Sequence, residues 1–218
     1  NPGSNPKDLE FFARARGITL KHARLAAFGS TRRRDTRVED DDNVQSMLLA
    51  DTPVIVIFGK SWDFHVTDII RTTLAENLAM ISDTLAFFKA QGKEVVYDAE
   101  HFFDGYKHNP AYAVRTLQAA VDGGADVLVL CDTNGGTLPH EIEAIVRAVT
   151  EVVPGDHLGI HAHDDTGQAV ANSLAAVRAD EIAMSASCGA VGSGMTAQSP
   201  YTSTRSASAM RNTLETTE

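Results

Sequence analysis

Cysteine is nearly absent: 218 residues carry only two, Cys131 and Cys188. A disulfide framework is excluded as the main source of stability, and a reducing, cytoplasmic compartment is the expectation. No apolar run approaches the roughly 18 residues that a membrane-spanning helix requires. Basic charge is in the minority, with 19 Lys and Arg against 29 Asp and Glu and a formal net charge of −10. That balance argues against nucleic acid or an anionic membrane as partner. It leaves a small anionic substrate open, because a few local cations suffice to hold one. The first eight residues, Asn1 to Asp8, have neither an apolar signal core nor an initiating Met, which reads as a chain that begins inside a longer protein. No Gly-x-Gly-x-x-Gly turn follows a first strand, and Gly59-Lys60-Ser61 lacks the upstream Gly and spacing of a phosphate loop. The composition that is left, 43% hydrophobic and 22% charged, is that of a globular domain with one sizeable core.

Short apolar, β-prone runs recur at Leu25–Phe28, Val54–Phe58, Val95–Tyr97, Val127–Cys131 and Leu158–Ile160. Their starts lie roughly 30 residues apart, the length of a βα unit. Helical segments fill the gaps. Asn5-Pro6 opens one over Asp8–Arg16, with Gly17 after it; Asp40–Ala50 is a second. Thr72–Ala90 carries Leu74, Leu78, Ile81, Leu85 and Phe88 on one stripe. Asn109-Pro110 starts a helix that closes at Gly123-Gly124, Pro139 opens Glu141–Val152, and Thr166–Arg178 is the last. Repeated βα units with continuously apolar strands predict a parallel sheet covered by helices. Polar residues cluster just after each strand, which favours a TIM (β/α)₈-type barrel, with all the loops on one face, over an open sheet. About five βα units are recognisable within residues 1–179. A short strand over Glu181–Met184 is weakly marked. Residues 180–218, rich in Ser, Thr, Ala and Gly, read as an irregular tail.

The stretch Gly159-Ile-His161-Ala-His163-Asp-Asp165 places two imidazoles at i and i+2. On a strand they point to one side, as two ligands of a divalent metal must. Taken alone, the pair is more often just two polar residues at a strand-to-loop junction. Tyr97-Asp98-Ala-Glu100-His101 puts two acids and a His at another strand end, a group suited to proton transfer or to bracing a metal ligand; a solvated loop is the plain alternative. Cys131-Asp132-Thr133-Asn134-Gly-Gly-Thr137 is a strand end and polar turn that can hold a carboxylate or merely turn the chain. Cys131 itself reads as buried packing. Lys60 and His65 fall at the same mouth, with Trp62 and Phe64 as wall or packing. Arg32-Arg33-Arg34 reads as a solvated basic loop, with binding of an anionic substrate or cofactor as the lesser alternative, and Glu39–Asp42 as acids at a helix start.

Together, these segments and their order resemble the citramalate synthase, 2-isopropylmalate synthase and homocitrate synthase family. The matching stretches are Pro2-Gly-Ser-Asn-Pro-Lys-Asp8, Leu25 to Thr31, Ile57 to Trp62, Tyr97 to Tyr106, Leu130 to Pro139 and Gly159 to Gly167. The 97–106 and 130–139 stretches are most similar to the citramalate synthase branch. The resemblance implies a TIM barrel that condenses acetyl-CoA with a 2-keto acid in isoleucine or leucine biosynthesis. A divalent metal (Mg, Mn or Zn) chelates the keto acid, a base deprotonates the acetyl methyl, and water cleaves the thioester. By position it implies His161 and His163 as metal ligands, Thr133 with Asp132 at the keto acid, and Glu100 with His101 as the catalytic pair, Asp132 and His101 in supporting places. It also implies a cytoplasmic homodimer.

Parts of the family pattern have no counterpart here. They are the opening strand Asp-Thr-Thr-Leu-Arg-Asp-Gly, with its metal-binding Asp and catalytic Arg, the strand after it, and the later Asn-Gly-x-Gly-Glu-Arg-x-Gly-Asn segment with its Asn ligand. The expectation is an incomplete barrel that binds metal poorly and lacks synthase activity on its own. An HMG-CoA lyase-like or aldolase-type lyase, a non-catalytic remnant and a metal hydrolase are the alternatives.

Overall fold

The computed structural model describes residues 1–153, 155–179 and 183–184. Six strands, β1 (Ala26–Ser30), β2 (Val54–Lys60), β3 (Glu94–Glu100), β4 (Val127–Asp132), β5 (Leu158–Ala162) and β6 (Ala183–Met184), form one sheet. Every neighbouring pair is parallel, and the spatial order is the chain order. An open doubly wound sheet reverses direction at a switch point; this sheet does not. It is the run of a (β/α)₈ barrel, present in part. The weak strand expected over Glu181–Met184 is the short β6, so six strands are seen where five were expected. The rest of the expected tail, 180–182 and 185–218, lies outside the described residues.

Parallel neighbours require crossovers, and helices supply them: α2 (Asp42–Leu49), α3 (Leu74–Ala90), α4 (Phe102–His108), α5 (Pro110–Asp122), α6 (Pro139–Thr150) and α7 (Ala169–Ala179), with α1 (Pro6–Ala15) ahead of β1. Local chemistry sets their starts. Asn5 and Asn109 cap α1 and α5 ahead of a proline, Thr73 caps α3, and Asp41 accepts from the Asn43 and Val44 amides at α2. The acids of 39–42 are thus helix-start residues, as expected. Asp164 Oδ1 accepts from the Ala169 amide at 2.9 Å and so delays α7 by three residues against the expected Thr166. Two features were not expected: α4, which begins one residue after β3, and a π-helical turn at His65–Ile69.

Alternation along the strands gives the sheet two chemically different faces. Ile57, Tyr97, Leu130 and Ile160 are fully buried in the main core, against residues of the helices such as Leu85, Leu117 and Val146. The opposite, inner face carries a small separate cluster of Val127, Val129 and Cys131. It also carries the polar ends of the strands. Register aligns Lys60 with Glu100 and Cys131 with His161. No helix among the described residues is long and apolar enough to cross a membrane.

Candidate active site at the strand ends

His161 sits on the inner face near the end of β5. Its Nδ1 lies 3.2 Å from Asp98 Oδ2, a bond that reaches from β3 past β4. Asp98 is 4% exposed. An ionised carboxylate only accepts, so Nδ1 carries the proton and Nε2 keeps a lone pair. This is the carboxylate-oriented histidine that metal sites use. His163 lies beside it, the two rings nearly parallel at 18° with centroids 4.9 Å apart. Its ring makes no hydrogen bond to the described residues. Burial and the neighbouring His161 hold its pKa below the ordinary histidine value, which keeps it neutral and able to ligate. Two imidazoles on one side of the strand, one braced by a carboxylate, fit a divalent metal.

Glu100 ends β3 on the same face, and Lys60 reaches across from β2 to ion-pair with it. The next residue, His101, has a left-handed backbone with φ 56°. That turn ends the strand and points the His101 amide at Thr133 Oγ1, 2.8 Å away. Thr133 therefore accepts from the backbone and keeps its own hydroxyl hydrogen for another partner. His101 Nδ1 meets Asp104 Oδ2 at 3.2 Å, and Asn134 donates to the same oxygen at 2.9 Å. Burial raises the Asp104 pKa, but these two hydrogen bonds outweigh it and leave the carboxyl below its ordinary range. The His65 ring stands edge-on to His101, centroids 4.4 Å apart. Burial lowers the His65 pKa, with His101 and Lys60 adding to the effect.

Asp132 is fully buried. It accepts from Thr137 Oγ1 at 2.8 Å and from Asn172 Nδ2 at 3.2 Å, and burial raises its pKa. These contacts make it the brace of the turn that presents Thr133. The same turn needs glycine at 135: its φ is 59°, and a Cβ would stand 2.7 Å from Asp165 Oδ2. Cys131 is buried, as expected, and burial pushes its thiol pKa well up. Its neighbours were not foreseen. Asp98, Cys131 and His161 each offer a donor atom within 4.8 Å of the others.

The basic loop needs correction. Arg32 is not solvated: its side chain is 7% exposed and pairs with Glu76 at 2.7 Å and Asp83 at 2.8 Å, both on α3. The two acids are seven residues apart and so share a helix face. Arg33 and Arg34 remain at the rim of a cavity of about 440 Å³ that Phe58, Lys60 and Met80 also line.

The HMGL-like family profile matches residues 4–197. The (R)-citramalate synthase of Aquifex aeolicus is 57% identical over 178 residues, covering 82% of this chain and 34% of that protein. That of Streptomyces coelicolor is 56% identical over 179 residues, covering 82% and 33%. A homocitrate synthase of Sulfurisphaera tokodaii is more distant, at 34% over 140 residues, 64% of this chain and 29% of that protein. The chain thus spans about a third of the length of the curated relatives it matches. Among solved structures, the HMG-CoA lyase of Brucella melitensis superposes with a TM-score of 0.68 at 17% identity, covering 86% of this chain and 64% of that one. The Pseudomonas aeruginosa hydroxymethylglutaryl-CoA lyase gives 0.67 at 19%, covering 85% and 61%. At such identities the likeness speaks for the fold. Taken with a profile match that runs through all six strands and both histidines, it leads to one placement: the chain belongs to the HMGL-like family.

Proposed function

We propose that this chain carries part of the catalytic face of an (R)-citramalate synthase, a cytoplasmic, homodimeric acyltransferase that condenses acetyl-CoA with pyruvate in branched-chain amino-acid biosynthesis. The observation that carries the reading is the His161–His163 pair, braced by Asp98 and set at the same strand ends as Glu100 and Thr133. His161, through Nε2, and His163 are the residues that would hold a divalent metal. When bound, that metal supplies Lewis-acid polarisation of the keto carbonyl. Thr133 has a hydroxyl hydrogen to give to a keto-acid carboxylate. Lys60 fixes Glu100 beside it. Asp104 and His101 form an oriented carboxylate–imidazole pair, the usual form of a general base. Loss of a methyl proton from acetyl-CoA to such a base generates the carbon nucleophile. Attack on the keto carbon forms the C–C bond, and hydrolysis of the thioester releases CoA as the free thiol.

The test is a chimera in which residues 4–179 replace the corresponding segment of the Aquifex aeolicus synthase. It is expected to release CoA thiol when given pyruvate and acetyl-CoA, and His161→Ala or His163→Ala in the graft is expected to abolish that release. A folded chimera with no turnover overturns the reading, and cleavage without condensation replaces it with a lyase. With two imidazoles as its share of the ligands for such a metal, the chain by itself is expected to bind Mn²⁺ weakly and to make no citramalate; production by the purified chain would refute this part.

A further inference from the structure

We propose that Asp98, Cys131 and His161 form a second metal site, one that contains sulfur and takes a zinc-class, thiophilic ion. The three residues come from the adjacent strands β3, β4 and β5, all on the inner face, and one donor atom of each lies within 4.8 Å of the other two. Asp98 and Cys131 are 4% and 3% exposed, so a bound ion would be largely shielded from water. The Asp98–His161 contact of 3.2 Å is already the separation of adjacent ligands around a tetrahedral ion with bonds of about 2.0–2.3 Å. The only hydrogen bond of the Cys131 sulfur among the described residues is to the Val129 carbonyl, at 3.7 Å. One nitrogen, one oxygen and one sulfur select zinc and its heavier relatives over magnesium or manganese, which prefer oxygen. A water completes the shell.

Binding involves no redox step. The ion sheds waters, the Cys131 thiol releases its proton to solvent as the metal–sulfur bond forms, and the Nδ1 proton of His161 moves to Nε2 by way of solvent. The site shares His161 with the His161–His163 pair, so an ion held in one place and an ion held in the other compete for the same imidazole. The site rests on the positions of three side chains; the competition rests, in addition, on the reading of His161 and His163 under Proposed function.

The experiment titrates the purified 218-residue chain, carrying Cys188→Ser, with Cd²⁺ and follows the ultraviolet thiolate-to-cadmium charge-transfer band. One equivalent is expected to bind. Cys131→Ser is expected to abolish the band, Asp98→Asn to weaken binding about tenfold or more, and His163→Ala to leave both intact. Circular dichroism checks the fold of each variant. Absence of the band from the folded chain overturns the site, as does a loss in His163→Ala equal to that in Asp98→Asn. Mn²⁺ calorimetry on the chimera carrying residues 4–179, where the synthase supplies the remaining ligands, separates the two readings. If Mn²⁺ fails to bind the folded chimera while the cadmium band persists, the His161–His163 pair fails and the sulfur site stands. If Mn²⁺ binds and Cd²⁺ does not displace it, the competition fails.

Discussion

His101 is the joint between β3 and α4, and it makes that joint in a backbone region that costs a non-glycine residue about 1–2 kcal/mol. The surroundings hold it there: its amide reaches Thr133 and its ring reaches Asp104. Such strain gathers where geometry serves chemistry. Four residues on, Gly105 lets α4 lie directly on the chain after β2. A Cβ at 105 would stand 2.5 Å from the Ser61 carbonyl oxygen and 2.9 Å from Trp62 Cα. Both are backbone atoms and cannot step aside cheaply, so Gly105→Ala is expected to destabilise the protein by about 1–3 kcal/mol, read as a shift in urea midpoint. Asp98→Asn belongs to the same scale. It keeps the shape and loses the acceptor-only carboxylate behind His161, and calorimetry is expected to show Mn²⁺ affinity falling about 10–100-fold. Equal affinity would show that Asp98 does not set the ring. The two histidines and the Glu100-His101 pair were readable in the sequence because spacing places them. The company of Cys131 was not, because it depends on the register of β4 against β5 and on a side chain arriving from β3.

At the level of elements, the strands and long helices were legible from apolar runs and from caps such as Asn5-Pro6 and Asn109-Pro110. Strand β3 was read too short, at Val95–Tyr97, because its inner-face residues Asp98 and Glu100 are polar by virtue of the site. Helix α4 escaped because neither glycine nor proline separates it from β3; one left-handed histidine does that work. The burial of Arg32 escaped because its partners sit on α3, more than forty residues away in the chain. That pairing has a pH signature. The hydrogen bond from Arg32 holds the Glu76 carboxyl below its ordinary value of 4.5, with burial opposing. A depressed folded pKa contributes stability that is present above the unfolded value and is lost as pH falls through the folded one. Stability is therefore expected to drop as pH falls below about 4.5, and Glu76→Gln is expected to make that drop shallower. At neutral pH the variant is expected to lose about 1–2 kcal/mol. An unchanged acid limb in thermal melts would rule the pair out as a contributor.

For the whole molecule, the sheet keeps its stability on one side and its chemistry on the other. Leu130 faces the helices and is fully buried; Leu130→Ala is expected to cost about 2–5 kcal/mol in chemical denaturation while leaving Cd²⁺ and Mn²⁺ affinities within about threefold, since its own side chain enters neither site. A large loss of metal affinity without loss of stability would reverse that division. The division also has an arithmetic. In β3 the odd positions, Tyr97 and Ala99, fill the interior beneath the helices, and the even ones, Asp98 and Glu100, serve the mouth. In β4 and β5 the parity is the opposite, with Leu130 and Ile160 inside and Cys131 and His161 at the mouth. Deleting one codon within β3 ahead of Tyr97 would flip that strand, sending two carboxylates under the helices and a tyrosine ring toward the imidazoles. The loops between strands can gain or lose a residue without such a flip, so insertions and deletions are free to accumulate there and are barred from the strands twice over, once by the core and once by the side chains set at the mouth.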